Sequence, residues 1–344
     1  MADVDKALEI TSREPLFDYS MLHEVPKVPQ FDLPRYEPPR GVSKRALDVT
    51  SDPNVREGML QTIMAGQKLG GDKWYNAEPL RQHFTRVLGE EGGNKAFRKY
   101  MDFVAATSPR SKVDANVRNA SYYYAKAMRG EPMPEVGEKN PQPYGHLAQR
   151  LHQMNAQRVH GPGWEPLTNP KPASFVENLA GNQMPGTIDT HAFRLPAIIG
   201  KDPRFLEPRY VSSKEAPIRN IQKEVESGQM SMDEAAKHGA LWQSAPKDNE
   251  YAHMEQFYRE LGRELGLTTA QTQASAWVGG GHMTGLGSDE SKPFIRFLDD
   301  RVHVTAAKRG MDPKDVLDKF IRGELELFRD GGAVHGAPEK TAGL

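Results

Sequence analysis

The residues with the clearest chemical potential lie in two short segments, Lys171-Pro-Ala-Ser-Phe-Val-Glu-Asn-Leu-Ala-Gly181 and Thr187-Ile-Asp-Thr-His-Ala-Phe-Arg194. Pro170 and Pro172 predict a helix start that puts Lys171 in the first turn. There the positive end of the helix dipole disfavours an ammonium and pushes the side chain toward the neutral amine, the form that attacks an electrophilic carbon to make a Schiff base. Asp189 stands just before a helix expected to start at Thr190. As an N-cap it accepts amide hydrogen bonds, and its carboxylate suits stabilising positive charge or activating water. His191 and Arg194, three apart on one helix face, are placed to contact a phosphate or pair with a carboxylate. Each residue also has a structural reading: Asp caps helices well, a first-turn Lys is solvated, and a lone His packs or caps. A helix over 172–180 is ~13 Å long and the return to Asp189 spans at most ~27 Å, so chain length permits Lys171 and Asp189 to meet.

Two further stretches carry candidate binding groups. Residues 81–130 hold ten basic residues against four acidic ones, a local surplus of six that offers a phosphate-tracking face including Arg110 and Arg118. Tyr122, Tyr123 and Tyr124 in the same stretch supply rings that either stack on bases or pack half-buried in a helix. The second stretch runs from Trp277 to Gly287 and holds five glycines. No Lys follows Gly285 and no strand precedes it, so it is neither a Walker loop nor a dinucleotide fingerprint. Its backbone amides either cradle a phosphate beside His282 and Thr284 or form a flexible interhelical loop. His146, His152 and His160 are six and eight apart, which is not the i, i+4 spacing of a helical zinc site, so neither a metal nor any other cofactor is expected.

These groups must be positioned by helices. Val113–Met128 reads as a helix stopped by Gly130, and others are expected over 147–160, 172–180 and from Thr190. Met254, Phe257, Tyr258, Leu261 and Leu265 mark an amphipathic helix ended by Gly266. Thr269–Val278, Phe294–Arg309 and Pro313–Phe328 complete the set, the last opened by Asp312 as its cap. No strand-length alternation occurs, so the fold class is all-α. Five prolines within 25–40 mark residues 1–50 as a weakly structured arm that wraps a protein partner, residues 51–330 as the helical domain with a polar insertion over 200–250, and 331–344 as a disordered tail.

The whole-chain arithmetic narrows the chemistry. With no cysteine, disulfides, zinc thiolates, iron–sulfur clusters and thiol nucleophiles are excluded together. The net charge of −1 argues against an indiscriminate nucleic-acid binder, so any nucleic-acid surface is local. No run approaches the ~18 apolar residues a membrane helix needs and the first residues lack a signal-peptide core, so no membrane association and a cytoplasmic location are expected.

Taken together, the segments Lys171–Gly181 and Thr187–Arg194 resemble the core of the helix-hairpin-helix DNA glycosylase superfamily, with an endonuclease III-like spacing of 18 between Lys171 and Asp189. Phe103–Ala120 resembles that branch's substrate-proximal helix-loop-helix, and Ser108-Pro…Asn116, Phe175-x-x-Asn178-Leu-x-Gly181 and Thr187-x-Asp189-x-His191-x-x-Arg194 also look like related phage and mobile-element proteins. The resemblance covers roughly 95–200; Leu167-Thr-Asn-Pro170 replaces the family's glycine-rich hairpin and the cluster cysteines are missing. It implies a base flipped from DNA into a pocket between two helical halves, with Asp189 and Lys171 catalytic. Ser108, Arg110, Asn116, Arg118, Asn178, His191, Arg194, Gln271, Trp277 and His282 then contact DNA or the base. The alternative is a phage-type DNA-binding or assembly module that keeps the fold without the chemistry.

Overall fold

The computed structural model describes residues 14–17, 19, 37–160, 167–206, 221–237, 246–286 and 291–328. The tail 331–344, the Gly161–Gly163 turn, most of the proline-rich arm and parts of 200–250 lie outside the described residues. In chain order the helices are α1 (Lys44–Ser51), α2 (Pro53–Lys68), α3 (Glu78–Leu88), α4 (Glu90–Thr107), α5 (Val113–Met128), α6 (Gln149–His160), α7 (Pro170–Leu179), α8 (Thr190–Ile199), α9 (Ile221–Glu226), α10 (Met232–Lys237), α11 (Asp248–Leu265), α12 (Thr269–Gly280), α13 (Phe294–Arg309) and α14 (Pro313–Ile321). Short 3-10 turns occupy Gly71–Lys73, Pro203–Phe205 and Gly281–Thr284. Among the described residues there is no strand, so the protein is all-α, and no helix is long and apolar enough to cross a membrane.

The chain forms two compact units with interleaved segments. The first gathers the described parts of Met1–Glu24, Asn76–Gly181 and Phe294–Leu344; the second gathers those of Val25–Tyr75 and Asn182–Pro293. Residues 51–330, read above as one helical body, contribute to both.

In the first unit, α3, α4, α5 and α14 converge on a ring cluster. Phe84, Tyr100, Tyr124 and Phe320 sit at centroid separations of 5.2–6.2 Å, and all four are fully buried. The Tyr122–Tyr124 run is therefore core: Tyr123 and Tyr124 are buried and Tyr122 stacks on Tyr144 at 4.5 Å. A buried guanidinium completes the packing, because Arg301 donates to the Leu327 carbonyl at 2.8 Å and lies over the Phe328 ring. Helix α14 stops at Ile321, short of the expected Phe328, because Gly323 turns the chain at φ 77°.

In the second unit, α2 and α12 meet by close approach of their backbones. A Cβ added at Gly66 of α2 would lie 1.8 Å from the Ser275 carbonyl oxygen, and one at Gly279 of α12 would lie 2.2 Å from the Thr62 carbonyl oxygen. Glycine at both positions lets two helix backbones touch. Gly279 and Gly280 are thus helical packing residues, and the run expected as a phosphate cradle or flexible loop is mostly ordered helix and 3-10 turn. Helix α1 falls inside the stretch read as an arm: past Pro39 nothing forbids a helix, Ala46 and Val49 are buried, and Ser43 and Thr50 bond to Glu250 and His253 of α11. The core of the unit joins Met59 and Ile63 of α2, Phe193 and Leu195 of α8, and Met254, Tyr258 and Leu261 of α11.

Candidate functional site

In the second unit, the segment Gly186–Asp189 is held before α8 begins. Tyr251 of α11 donates its hydroxyl to the Gly186 carbonyl at 2.6 Å and accepts from the Ile188 amide at 3.1 Å. One turn further along α11, Glu255 accepts from the Gly186 amide at 2.7 Å. Asp189 then caps α8 as expected, its Oδ1 accepting from the Ala192 amide at 2.9 Å. Oδ2 has no hydrogen-bond partner among the described residues, and the side chain is half-buried.

The helix that Asp189 opens contains Pro196, which has no N–H to give the Ala192 carbonyl. The buried Tyr258 hydroxyl supplies the missing donor at 3.0 Å. Burial pushes the phenols of Tyr75 and Tyr258 well above their ordinary range, and the neighbouring Asp189 charge pushes both further. Both therefore act as hydrogen-bond donors, Tyr75 giving its proton to Gln273 Oε1 at 2.6 Å.

His191 and Arg194 grip the same residue. His191 Nδ1 lies 3.0 Å from Thr284 Oγ1, and Arg194 donates to the Thr284 carbonyl at 3.2 Å. Thr284 gives its hydroxyl proton to the Gly281 carbonyl at 2.9 Å, so it accepts from His191 and Nδ1 carries the imidazole proton. The pair expected on a phosphate or a carboxylate thus pins the 3-10 turn Gly281–Thr284 against α8.

Beside them lies a recess lined by His191, Leu195, Tyr258, Gln273, Trp277 and Thr284, enclosing about 10 Å³. That is about the room a single water centre needs, far too little for a base without movement of the walls. Trp277 is half-buried, edge-on to Trp74 at 5.0 Å. Gln271 makes a capping box with Thr268, which occupies both its amide and its side-chain oxygen. His282 is exposed on the turn.

The remaining predicted residues lie in the first unit. Lys171 is in the first turn of α7, capped by Asn169, and its Nζ lies 3.4 Å from Ser108 Oγ and 5.8 Å from the Phe175 ring centroid. Ser108 is buried and donates to the Ala105 carbonyl. Asn116 is buried too, accepting from Thr107 at 2.6 Å, so it joins α4 to α5 rather than facing outward. Asn178 is fully buried in α7. Arg110 is exposed and Arg118 half-buried. Lys171 belongs to the first unit and Asp189 to the second.

Among the described residues, no three or more His, Asp or Glu side chains are grouped to hold a metal ion. Sequence reasoning read Tyr258 only as part of an apolar helix face and did not single out Tyr251 or Glu255, whose only local signal is their i, i+4 spacing on one helix face. The molecule is thus an all-α protein with a capped, tyrosine-braced aspartate in one unit and a lysine-serine pair in the other. Set against known proteins, the chain matches no family model, no curated protein and no solved structure.

Proposed function

We propose that the chain acts on DNA and handles a nucleobase on a divergent helix-hairpin-helix glycosylase-like scaffold, with Asp189 the carboxylate at the reacting centre. The observation that supports this reading is the state of that carboxylate. One oxygen is fixed by the Ala192 amide and the other has no partner among the described residues, on a loop braced by Tyr251 and Glu255. A fixed carboxylate with one open oxygen stabilises positive charge on a sugar as a glycosidic bond loosens, or takes a proton from water. Lys171, in the first turn of a helix, is the second candidate group.

The test uses two substitutions that separate capping from chemistry. Asp189→Asn keeps a good cap and removes the charge, whereas Asp189→Ala also loses ~0.5–2 kcal/mol of capping. Turnover on base-modified or damaged DNA falls by orders of magnitude in a well-folded Asp189→Asn protein if the carboxylate reacts. Lys171→Ala then sorts the chemistry, since a Schiff-base enzyme loses borohydride trapping to DNA and a water-activating one keeps it absent throughout. The small recess beside α8 favours the second reading, a DNA-binding or assembly module without catalysis. DNA binding with no turnover by the unaltered protein selects that module.

A further inference from the structure

The loop Ser108–Lys112 joins α4 to α5 in the first unit, and two stacked histidines hold its shape. His152 is buried and donates from Nε2 to the Pro109 carbonyl at 2.9 Å. His146 accepts the Ala148 amide on Nδ1 at 3.0 Å, so its proton is on Nε2, which faces Ser111 Oγ at 3.4 Å. Ser111 spends its own proton on the Thr107 carbonyl at 2.8 Å and is therefore the acceptor for His146. The two rings lie 4.7 Å apart and nearly parallel. Burial pushes both imidazoles down, His152 to about 4, so near neutral pH they clamp the loop without adding charge.

The clamped loop carries Arg110 at φ 58°, a left-handed conformation that a residue with a side chain rarely adopts. Such backbone persists only where its surroundings impose it, and it gathers at functional sites. The exposed Arg110 is followed two residues on by the exposed Lys112. On α5, Arg118 is half-buried, and its Nε is buried without a hydrogen-bond partner among the described residues.

What separates these three cations from most of their neighbours is pairing; of the other seven in the stretch, only the half-buried Lys99 of α4 likewise has no acidic partner within 4.0 Å among the described residues. Within the same basic stretch Arg81 pairs with Glu78, Arg86 with Asp318, Lys95 with Glu91, Arg98 with Asp102 and Glu177, and both Lys126 and Arg129 with Glu131. Arg110, Lys112 and Arg118 have no acidic partner within 4.0 Å among the described residues, although Asp114 lies one turn before Arg118. In a chain whose charges almost cancel, three of the four cations of this stretch without an acidic partner among the described residues thus lie on this clamped loop and the first half of α5.

We propose that this loop is a phosphate seat: Arg110, Lys112 and Arg118 receive the oxygens of a phosphate group, and the His146–His152 stack holds the loop in the receiving shape. The inference stands on the first unit alone and does not depend on Asp189. The phosphate is either a phosphodiester of a nucleic-acid backbone or a free phosphate, and the experiment has an arm for each.

The full-length protein is titrated with a short duplex oligonucleotide between about 50 and 200 mM salt and, separately, with inorganic phosphate. The variants are Arg110→Gly, which removes the charge and relieves the left-handed strain, and Arg118→Ala. Their combination is expected to weaken duplex binding about tenfold or more and to flatten the dependence of log affinity on log salt by about two. Melting no lower in Arg110→Gly keeps misfolding out of the result. Lys95→Ala, which removes a cation already matched by Glu91, leaves binding unchanged. Duplex binding lost in the double variant assigns the seat to backbone phosphodiesters. Binding of inorganic phosphate alone, lost in the same variant, assigns it to a free phosphate. Binding of neither ligand at low salt, unchanged affinity in the double variant, or an equal loss in Lys95→Ala overturns the proposal.

Discussion

Tyr251→Phe tests whether the chain before Asp189 is braced as described. The substitution deletes one oxygen and leaves the ring, so no cavity of consequence opens. The hydroxyl serves two buried backbone groups, the Gly186 carbonyl at 2.6 Å and the Ile188 amide at 3.1 Å, and Ile188 is fully buried. A buried group left without its partner costs ~1–3 kcal/mol. The two orphans face each other at 3.1 Å and partly satisfy one another, which brings the sum toward the low end. We expect a loss of ~2 kcal/mol in the second unit, a fall of ~4–8 °C in its melting midpoint. Urea unfolding with an unchanged slope reads the stability, and amide exchange reads the place, with Ile188 exchanging faster. Glu255→Gln, which keeps an acceptor for the Gly186 amide, loses less. A Tyr251→Phe protein within ~0.5 kcal/mol of the parent, with Ile188 still protected, would refute the brace.

Gly66→Ala is expected to cost ~3 kcal/mol or more, because the new methyl meets the Ser275 carbonyl oxygen at 1.8 Å. Gly92→Ala, whose nearest neighbour is Leu88 Cβ at 3.6 Å, gains up to ~1 kcal/mol; thermal melts of the pair check both signs. His152 has a folded-state pKa of about 4 against an ordinary 6.5, because burial penalises its charge. The unfolded imidazole thus binds its proton first, so stability is complete above pH 6.5 and declines as pH falls through that window toward about 4. Urea midpoints across this range are expected to decline less steeply in His152→Gln, and an unchanged slope counts against the assignment.

Which parts of this molecule can be read from its sequence depends on how far each residue's partner lies along the chain. Helices whose inward face is made of large apolar residues are legible: Val113–Met128 and Phe294–Arg309 form with the expected ends. Helix α2 was not, because its buried apolar residues Val55, Met59 and Ile63 make a narrow stripe and the surface it offers α12 is Thr62 and Gly66, residues too small to read as a packing face. The same physics made Gly279 and Gly280 read as a loop. Asp189 was legible because a cap bonds three residues ahead. Its brace was not, because Tyr251 acts on a backbone 63 residues away and Tyr258 on one 66 away. The basic stretch shows the principle most sharply. Counting charges there finds ten cations of apparently equal standing, yet Arg86 is neutralised by Asp318, 232 residues on, whereas Arg110 is exposed with no acid paired to it among the described residues. A charge surplus in a sequence therefore names a stretch, and only the fold's choice of distant partners names the residues within it that remain to meet a ligand.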